Sequence, residues 1–321
     1  MPVNPQLSSV HVDTALSSIA INYMQNPDGF FARKVFPVVP VNKQSDKYFV
    51  FDRGDMLRDE AARRTPGTQA ARGGYRLSST SYECEEFAYA HELPDEVRVN
   101  MDLAGADQYS VKHVAQKLLI REDRMFYSAF MQTSVWSNDS SPGTKWNSAG
   151  GTPIQDIRTG IRTVKNSIGY DANVGLVTRN VFDSLLDNAD IIDRINGMST
   201  AAEPAVANNI ALARIFGLEE VIVAESIYDS AADGQTESVG PTTGSDEIFL
   251  LLYRPKAPSI DSPSAGYTFA WSDFDGLLGG SPAIRQYREE HRKQDVYEGS
   301  IFVDQVKTAA GAGYFLYNVL A

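Results

Sequence analysis

The sequence predicts an α+β chain in which one long helix joins two strand-rich regions. Three observations carry this reading: an unbroken amphipathic run from Asp107 to Trp136, alternating strand and helix patterns over residues 152–260, and short period-two strands on either side. In the long run, Val111, Val114, Ala115, Leu118, Leu119, Met125, Phe126, Ala129 and Phe130 recur at three- and four-residue steps and define an apolar face. Lys112, Lys117, Arg121, Glu122, Asp123 and Arg124 are assigned to the opposite side. Asp107 stands where an N-cap acceptor is needed, no Pro or Gly interrupts the run, and the Ser-, Asn-, Pro- and Gly-rich stretch from Ser137 to Gly151 ends it. At about 1.5 Å per residue such a helix makes a rod of roughly 45 Å, more a strut than an ordinary packing element.

Composition bounds the rest. A chain of 321 residues can bury a substantial core and form two or three compact units. Apolar stretches stay well short of the ~20 residues of a membrane span. Met1 to Ala20 has no basic flank followed by an apolar block, so no signal peptide is expected. With Cys84 as its one cysteine, the chain cannot form an internal disulfide, which suits a reducing compartment. A net charge of -12 opposes general affinity for nucleic acid, because a binder must replace the cations condensed on phosphates.

In chain order, residues 1 to about 35 are rich in Ser, Asn and Pro, with one short amphipathic piece from Thr14 to Met24. Such a segment could not order itself, and a docked partner subunit is expected to hold it. Phe36-Pro-Val-Val-Pro-Val41 is an extended connector fixed by its prolines. A strand over Lys47–Asp52 and another from Tyr75 to about His91 frame a polar tip, Gly54 to Gly74, and together make a hairpin too long and too polar to pack on its own domain. Beyond the long helix come a helix over Ile154–Ile168, a strand over Val174–Thr178, helices over Val181–Ile195 and Ala205–Phe216, and strands over Leu218–Ala224 and Glu247–Tyr253. Ser226 to Ser245 is a polar loop within this unit. Strands over Tyr267–Trp271, Ala283–His291, Val296–Val306 and Gly313–Leu320 close the chain.

No catalytic constellation emerges. His11, His91, His113 and His291 fall in different elements, and His91-Glu92 is followed by Leu93-Pro94 rather than a second metal-ligating histidine. Cys84 lies between Glu83 and Glu85, which would raise its thiol pKa. Gly311-Ala-Gly313 leads into a strand and reads as a turn rather than a phosphate loop. Glu83, Glu85, Glu86, Asp95 and Glu96 could in principle hold a cation, but a charge run is more often a solvated or partner-facing surface.

Charge distribution says more. From Arg53 to Arg76, six arginines stand against three acids, a local +3; from Glu83 to Asp107, eight acids stand against Arg98, a local -7. A basic tip and an acidic base on one projection suit head-to-tail contact between identical copies, the alternative being intramolecular balance. The candidate contact residues are Arg58, Arg63, Arg64, Arg72 and Arg76 with Glu83, Glu85 and Glu86.

This order of elements resembles the major capsid proteins of tailed bacteriophages, the Hong Kong ninety-seven-like capsid fold, over nearly the whole chain. The residues that carry the resemblance are Phe36-Pro37 with Pro40, Glu85-Glu86-Phe87 at the end of the hairpin, the long helix, and Ala309-Ala310-Gly311 with Tyr314-Phe315-Leu316. The resemblance implies an N-terminal arm (1–41), an extended loop (42–92), a peripheral domain (93–151 and 261–321) with a spine helix (107–136), and an axial domain (152–260). It implies a structural protein of the virion that self-assembles, in the host cytoplasm, into hexamers and pentamers of an icosahedral head enclosing double-stranded DNA. The implied partners are further copies of itself, a separate scaffolding protein, a portal, a decoration protein and packaged DNA contacted without sequence specificity; no membrane, metal or cofactor is implied. An encapsulin-type shell shares the fold and differs in its cargo, and an α/β enzyme built on residues 152–260 is a more distant alternative. Some family members weld subunits through a lysine on the extended loop, whereas this chain has no lysine between Lys47 and Lys112.

Overall fold

A computed structural model describes residues 25–51, 53–100, 105–198, 208–232, 234–244, 246–257, 263–272 and 283–321. The expected helical piece over Thr14–Met24 lies outside the described residues. A short helix α1 (Ala32–Val35) leads into β1 (Val38–Val41), β2 (Ser45–Phe51), a short α2 (Arg53–Leu57), β3 (Leu77–Glu83), β4 (Glu85–Pro94) and α3 (Asp95–Asn100). The long helix α4 (Ala106–Phe130) precedes β5 (Asp139–Ser140), α5 (Pro153–Ile168), β6 (Val174–Thr178), α6 (Arg179–Leu186), α7 (Ala189–Met198) and α8 (Asn209–Phe216). Next come β7 (Glu220–Ala224), β8 (Ile227–Asp229), β9 (Val239–Pro241) and β10 (Phe249–Leu252). The chain closes with β11 (Gly266–Trp271), β12 (Ala283–Glu289), β13 (Gln294–Lys307) and β14 (Gly313–Leu316).

Two five-stranded sheets result, and α4 bridges them. In the first, β13 is central, taking β4, β11 and β12 antiparallel, while β1 lies parallel to β11. The second runs β5-β14-β10-β6-β7. Its strands are buried on both faces: Phe249 and Leu251 point to a cluster with α5, α7 and α8, whereas Ile248, Leu250 and Leu252 point to α1 and the end of α4. This α/β layer is not confined to residues 152–260, because β5 and β14 join it from outside that segment.

The inner face of α4 is a column at every fourth residue: Ser110, Val114, Leu118, Glu122, Phe126 and Phe130 are all buried. Val114 and Leu118 pack on the first sheet with Tyr297 and Ile301, while Phe126 and Phe130 pack with the second. Gly299 of β13 permits this approach, since a Cβ there would lie 2.4 Å from Val114 Cγ1.

The helix differs from expectation at both ends and along its polar side. It stops at Phe130, not Trp136, because the chain turns through Ser134 at φ 66° and Trp136 folds back, its indole N–H donating to the Phe130 carbonyl at 2.9 Å. At the other end Gly105, in left-handed conformation at φ 88°, occupies the cap position, and Asp107 instead accepts from the Tyr297 hydroxyl at 2.5 Å. Glu122 and Asp123, assigned to the solvent side, are each 1% exposed. Glu122 receives the Arg33 guanidinium in a two-point pair at 2.6 and 2.8 Å. Asp123 accepts from the backbone N–H of Ala32 at 2.9 Å and of Phe31 at 3.3 Å, which caps α1.

These carboxylates dock the segment from Gln25 onward. Phe31, Val35 and Phe36 are buried, and Phe36 meets Phe126 and Phe130 with ring centroids 4.9 Å apart in each case. The expectation that residues 1 to about 35 need a partner subunit to hold them is therefore corrected for the part from Gln25 onward, whose Phe31, Ala32 and Val35 belong to this chain's own core. Two further corrections concern length. The helix expected over Val181–Ile195 is broken into α6 and α7 at Asn188, whose amide oxygen accepts from Asp190 N–H at 3.1 Å. The second hairpin strand, expected to run from Tyr75 to His91, is divided at Cys84 into β3 and β4.

Burial pushes the Asp123 carboxyl up to about 6, against the bonds from Ser226, Ala32 and Phe31, and burial also raises Glu122 against the pull of Arg33. A raised carboxyl favours the folded state below its ordinary value and loses that contribution as pH rises through about 6. Asp123→Asn is expected to remove about 3 kcal/mol of that change between about pH 4 and pH 7. Denaturant titrations of the two proteins across this range check it: superimposable pH profiles would mean that Asp123 titrates as an ordinary carboxyl.

Candidate intersubunit surface

The projecting ribbon is built by β2 and β3 in antiparallel register from Ser45↔Glu83 to Phe51↔Leu77. Its base is fixed to the first sheet: Tyr82 stacks on Phe269 with centroids 4.6 Å apart, and Cys84 N–H donates to the Gln44 carbonyl at 2.9 Å. Burial, then the nearby Asp304, pushes the Cys84 thiol up to about 11. The direction matches the sequence reading, but its cause is burial and Asp304 rather than the flanking glutamates. After Cys84 the chain leaves the ribbon and pairs with β13 from Glu85↔Val303 onward. The hairpin is thus a two-stranded arm on a stem that belongs to the main sheet.

Beyond its base the ribbon is open on both faces. Phe49, Met56, Leu57, Tyr75 and Leu77 are 66, 50, 60, 64 and 49% exposed. Sequence reasoning treated the projection by its polarity and missed this apolar set, although Phe49 and Leu77 were legible as strand residues with no partner face. Apolar side chains concentrated on a projection mark an interaction surface rather than scattered surface hydrophobes.

The arginines are held in three ways. Asp55 gathers Arg76, with N–H and Nε donating at 3.0 and 2.9 Å, and lies 3.7 Å from Arg58, which also meets Glu60 at 3.2 Å. The Arg76 guanidinium beside it holds the Asp55 carboxyl below its ordinary value. At the tip, Thr65-Pro66-Gly67-Thr68 forms a turn closed by Thr68 N–H to the Thr65 carbonyl at 3.1 Å, with Gly67 at φ 85° as the third position requires. Arg64 Nε donates to the Thr68 carbonyl at 2.6 Å. Arg63, Arg64 and Arg72 line a shallow concavity of about 520 Å³ at this turn.

The acidic base divides in two. Asp95 pairs with Arg288 at 2.5 Å, Arg98 bridges Asp295 at 2.6 Å and Asp107 at 2.8 Å, and Glu92 meets Arg292 at 3.4 Å. Intramolecular balance accounts for these. Glu83, Glu85 and Glu86 are exposed and make no ion pair among the described residues. The fold therefore brings none of the candidate arginines onto the candidate glutamates within one chain, and any such pairing would have to run between copies.

Other chemistry is sparse. No group of three or more His, Cys, Asp and Glu side chains could hold a metal ion among the described residues. No helix among them is long and apolar enough to cross a membrane. His11 lies outside the described residues and His291 is exposed on the β12–β13 turn. His91 and His113, in separate elements of the sequence, meet across the β4–α4 seam with ring centroids 5.6 Å apart.

No family model matches the chain. A curated protein named major capsid protein, from Pseudomonas phage JBD67, is 23% identical over 319 residues, covering 97% of each chain. Among solved structures, a phage-related protein from Bordetella bronchiseptica RB50 superposes with a TM-score of 0.67 at 21% identity, covering 96% of this chain and 97% of that one. The capsid structure of cyanophage P-SCSP1u superposes with a TM-score of 0.57 at 13% identity, over 89% of this chain and 87% of that one. Two sheets bridged by a spine helix, a projecting ribbon and this likeness along the whole chain identify the architecture as the Hong Kong ninety-seven-type capsid fold of tailed bacteriophages.

Proposed function

We propose that this chain is the major capsid protein of a tailed-phage head, a structural protein without catalytic turnover whose copies associate as hexamers and pentamers around double-stranded DNA. The observation that carries the reading is the ribbon: exposed apolar side chains and an arginine tip on an arm that its own chain leaves uncovered, beside three exposed glutamates at its stem. The name of the 23%-identical relative supports the same reading and favours a phage head over an encapsulin-type shell. On this reading the N-terminal segment is the arm, the ribbon is the extended loop, the first sheet with α4 is peripheral and the second sheet is axial. Its partners are then a separate scaffolding protein, a portal, a decoration protein over the loop junctions and packaged DNA held without sequence specificity, with assembly in the host cytoplasm.

Electron microscopy of the purified protein tests this: closed shells of uniform size are expected, and a persistent monomer under all assembly conditions would contradict it. With no lysine between Lys47 and Lys112 to supply a covalent weld, assembled heads should run as monomer on denaturing, reducing gels, and high salt should loosen them. A ladder of covalent oligomers would refute the non-covalent account.

A further inference from the structure

We propose that His91 of β4 and His113 of α4 form a proton-operated latch: neutral, they pack edge to face and hold the stem of the ribbon against the spine helix, and doubly protonated they repel and loosen it. The two rings lie 5.6 Å apart at an interplanar angle of 69°, each half buried, on elements that no ion pair joins among the described residues and that also meet where Arg121 of α4 lies 5.1 Å over the Phe87 ring of β4. The Tyr89 hydroxyl lies 3.3 Å from His113 Nε2, a contact in which a neutral ring either accepts the hydroxyl proton or donates to its oxygen, whereas a protonated ring only donates. At this ring separation two protonated imidazoles repel across the seam, whereas two neutral ones pack.

The surrounding charges oppose double protonation. On α4, Lys117 adds a positive charge one turn from His113. On β4, Glu92 is the one carboxylate acting on His91, and it is 3.4 Å from Arg292, so its charge is already shared. From β13, the register partner of His91 is Tyr297, whose hydroxyl is occupied by Asp107 and Arg98. Asp229, on the β8–β9 ribbon, is near enough to Lys117 for that charge to lower its carboxyl. Burial holds both histidines below their ordinary value, and for His113 Lys117 and His91 add to the effect. A depressed histidine contributes stability that is present above its unfolded value and lost as pH falls through the folded one. Because β4 continues through Cys84 into β3, loosening this seam leaves the stem on which the ribbon stands held by its pairing with β13 and no longer braced by α4. The latch is a property of the single chain and does not depend on what the assembled protein encloses.

Hydrogen exchange of the full-length protein, corrected for the intrinsic pH dependence, is expected to show a loss of protection in residues 85–94 as pH falls from about 7 to about 5. Either His91→Gln or His113→Gln should lessen that loss, since one neutral amide ends the ring-to-ring repulsion while burial still acts on the remaining histidine. Ring-proton titration gives a second readout: in either single variant the midpoint of the remaining histidine should rise. Protection that is unchanged by acid, an acid response undiminished in both variants, or a remaining midpoint that does not move would each overturn the proposal.

Discussion

Phe36→Ala is expected to destabilise the subunit by about 3–5 kcal/mol, as for other fully buried aromatic truncations. Phe36 is 0% exposed, its ring touches Phe126 and Phe130, and its Cε2 and Cζ lie 2.4 Å from where a Cβ on Gly266 would be, so the site is closely packed from three sides. Removing residues 1–24, by contrast, leaves in place Gln25, Arg33 and the contacts of Phe31, Val35 and Phe36 with the other described residues. The truncated protein should melt near the full-length value while its yield of closed shells falls. Calorimetry and particle counts separate the two effects. A Phe36→Ala subunit that melts normally would show that the segment after residue 24 is not anchored as described.

Replacing Arg58, Arg63, Arg64 and Arg72 together with glutamate is expected to abolish closed shells while leaving the subunit folded. These side chains are exposed on a ribbon that contributes little to any core cluster, so the melting transition should move little. Each exposed ion pair is worth only about 0–1 kcal/mol, but one contact per subunit is repeated over every copy of a shell, and reversal turns attraction into repulsion. Arg58 also pairs with Asp55 and Glu60, so its reversal disturbs the tip internally. The double change at Arg63 and Arg64, which meet no carboxylate among the described residues, isolates the intersubunit effect and should weaken assembly in the same direction. Assembly indifferent to both variants would remove the arginine tip from the interface.

The strands, the long helix and their order were legible because they rest on periodicity. Val174–Thr178 is recovered residue for residue, and the apolar column of α4 is the period expected of a half-buried helix. What sequence could not give was set by contacts distant along the chain. Glu122 and Asp123 look like solvent-facing charges until Arg33 and the N–H groups of Phe31 and Ala32 arrive from about ninety residues earlier. Trp136 fits a helical pattern, and only the fold shows its indole closing the helix at Phe130. The ribbon illustrates both sides: its turn at Pro66-Gly67 and its arginines were readable, whereas the exposure of Phe49, Tyr75 and Leu77 was not, since β-forming residues are ordinarily assumed to face a core.

Cryo-electron microscopy of assembled particles at side-chain resolution tests the central claim most directly. The account predicts the β2–β3 ribbon lying across an adjacent copy, with Phe49 and Tyr75 covered and Arg63 or Arg64 within salt-bridge distance of that copy's carboxylates, Glu83, Glu85 and Glu86 foremost. Closed shells in which the ribbon folds back on its own subunit, or stands uncovered in solvent, would contradict it.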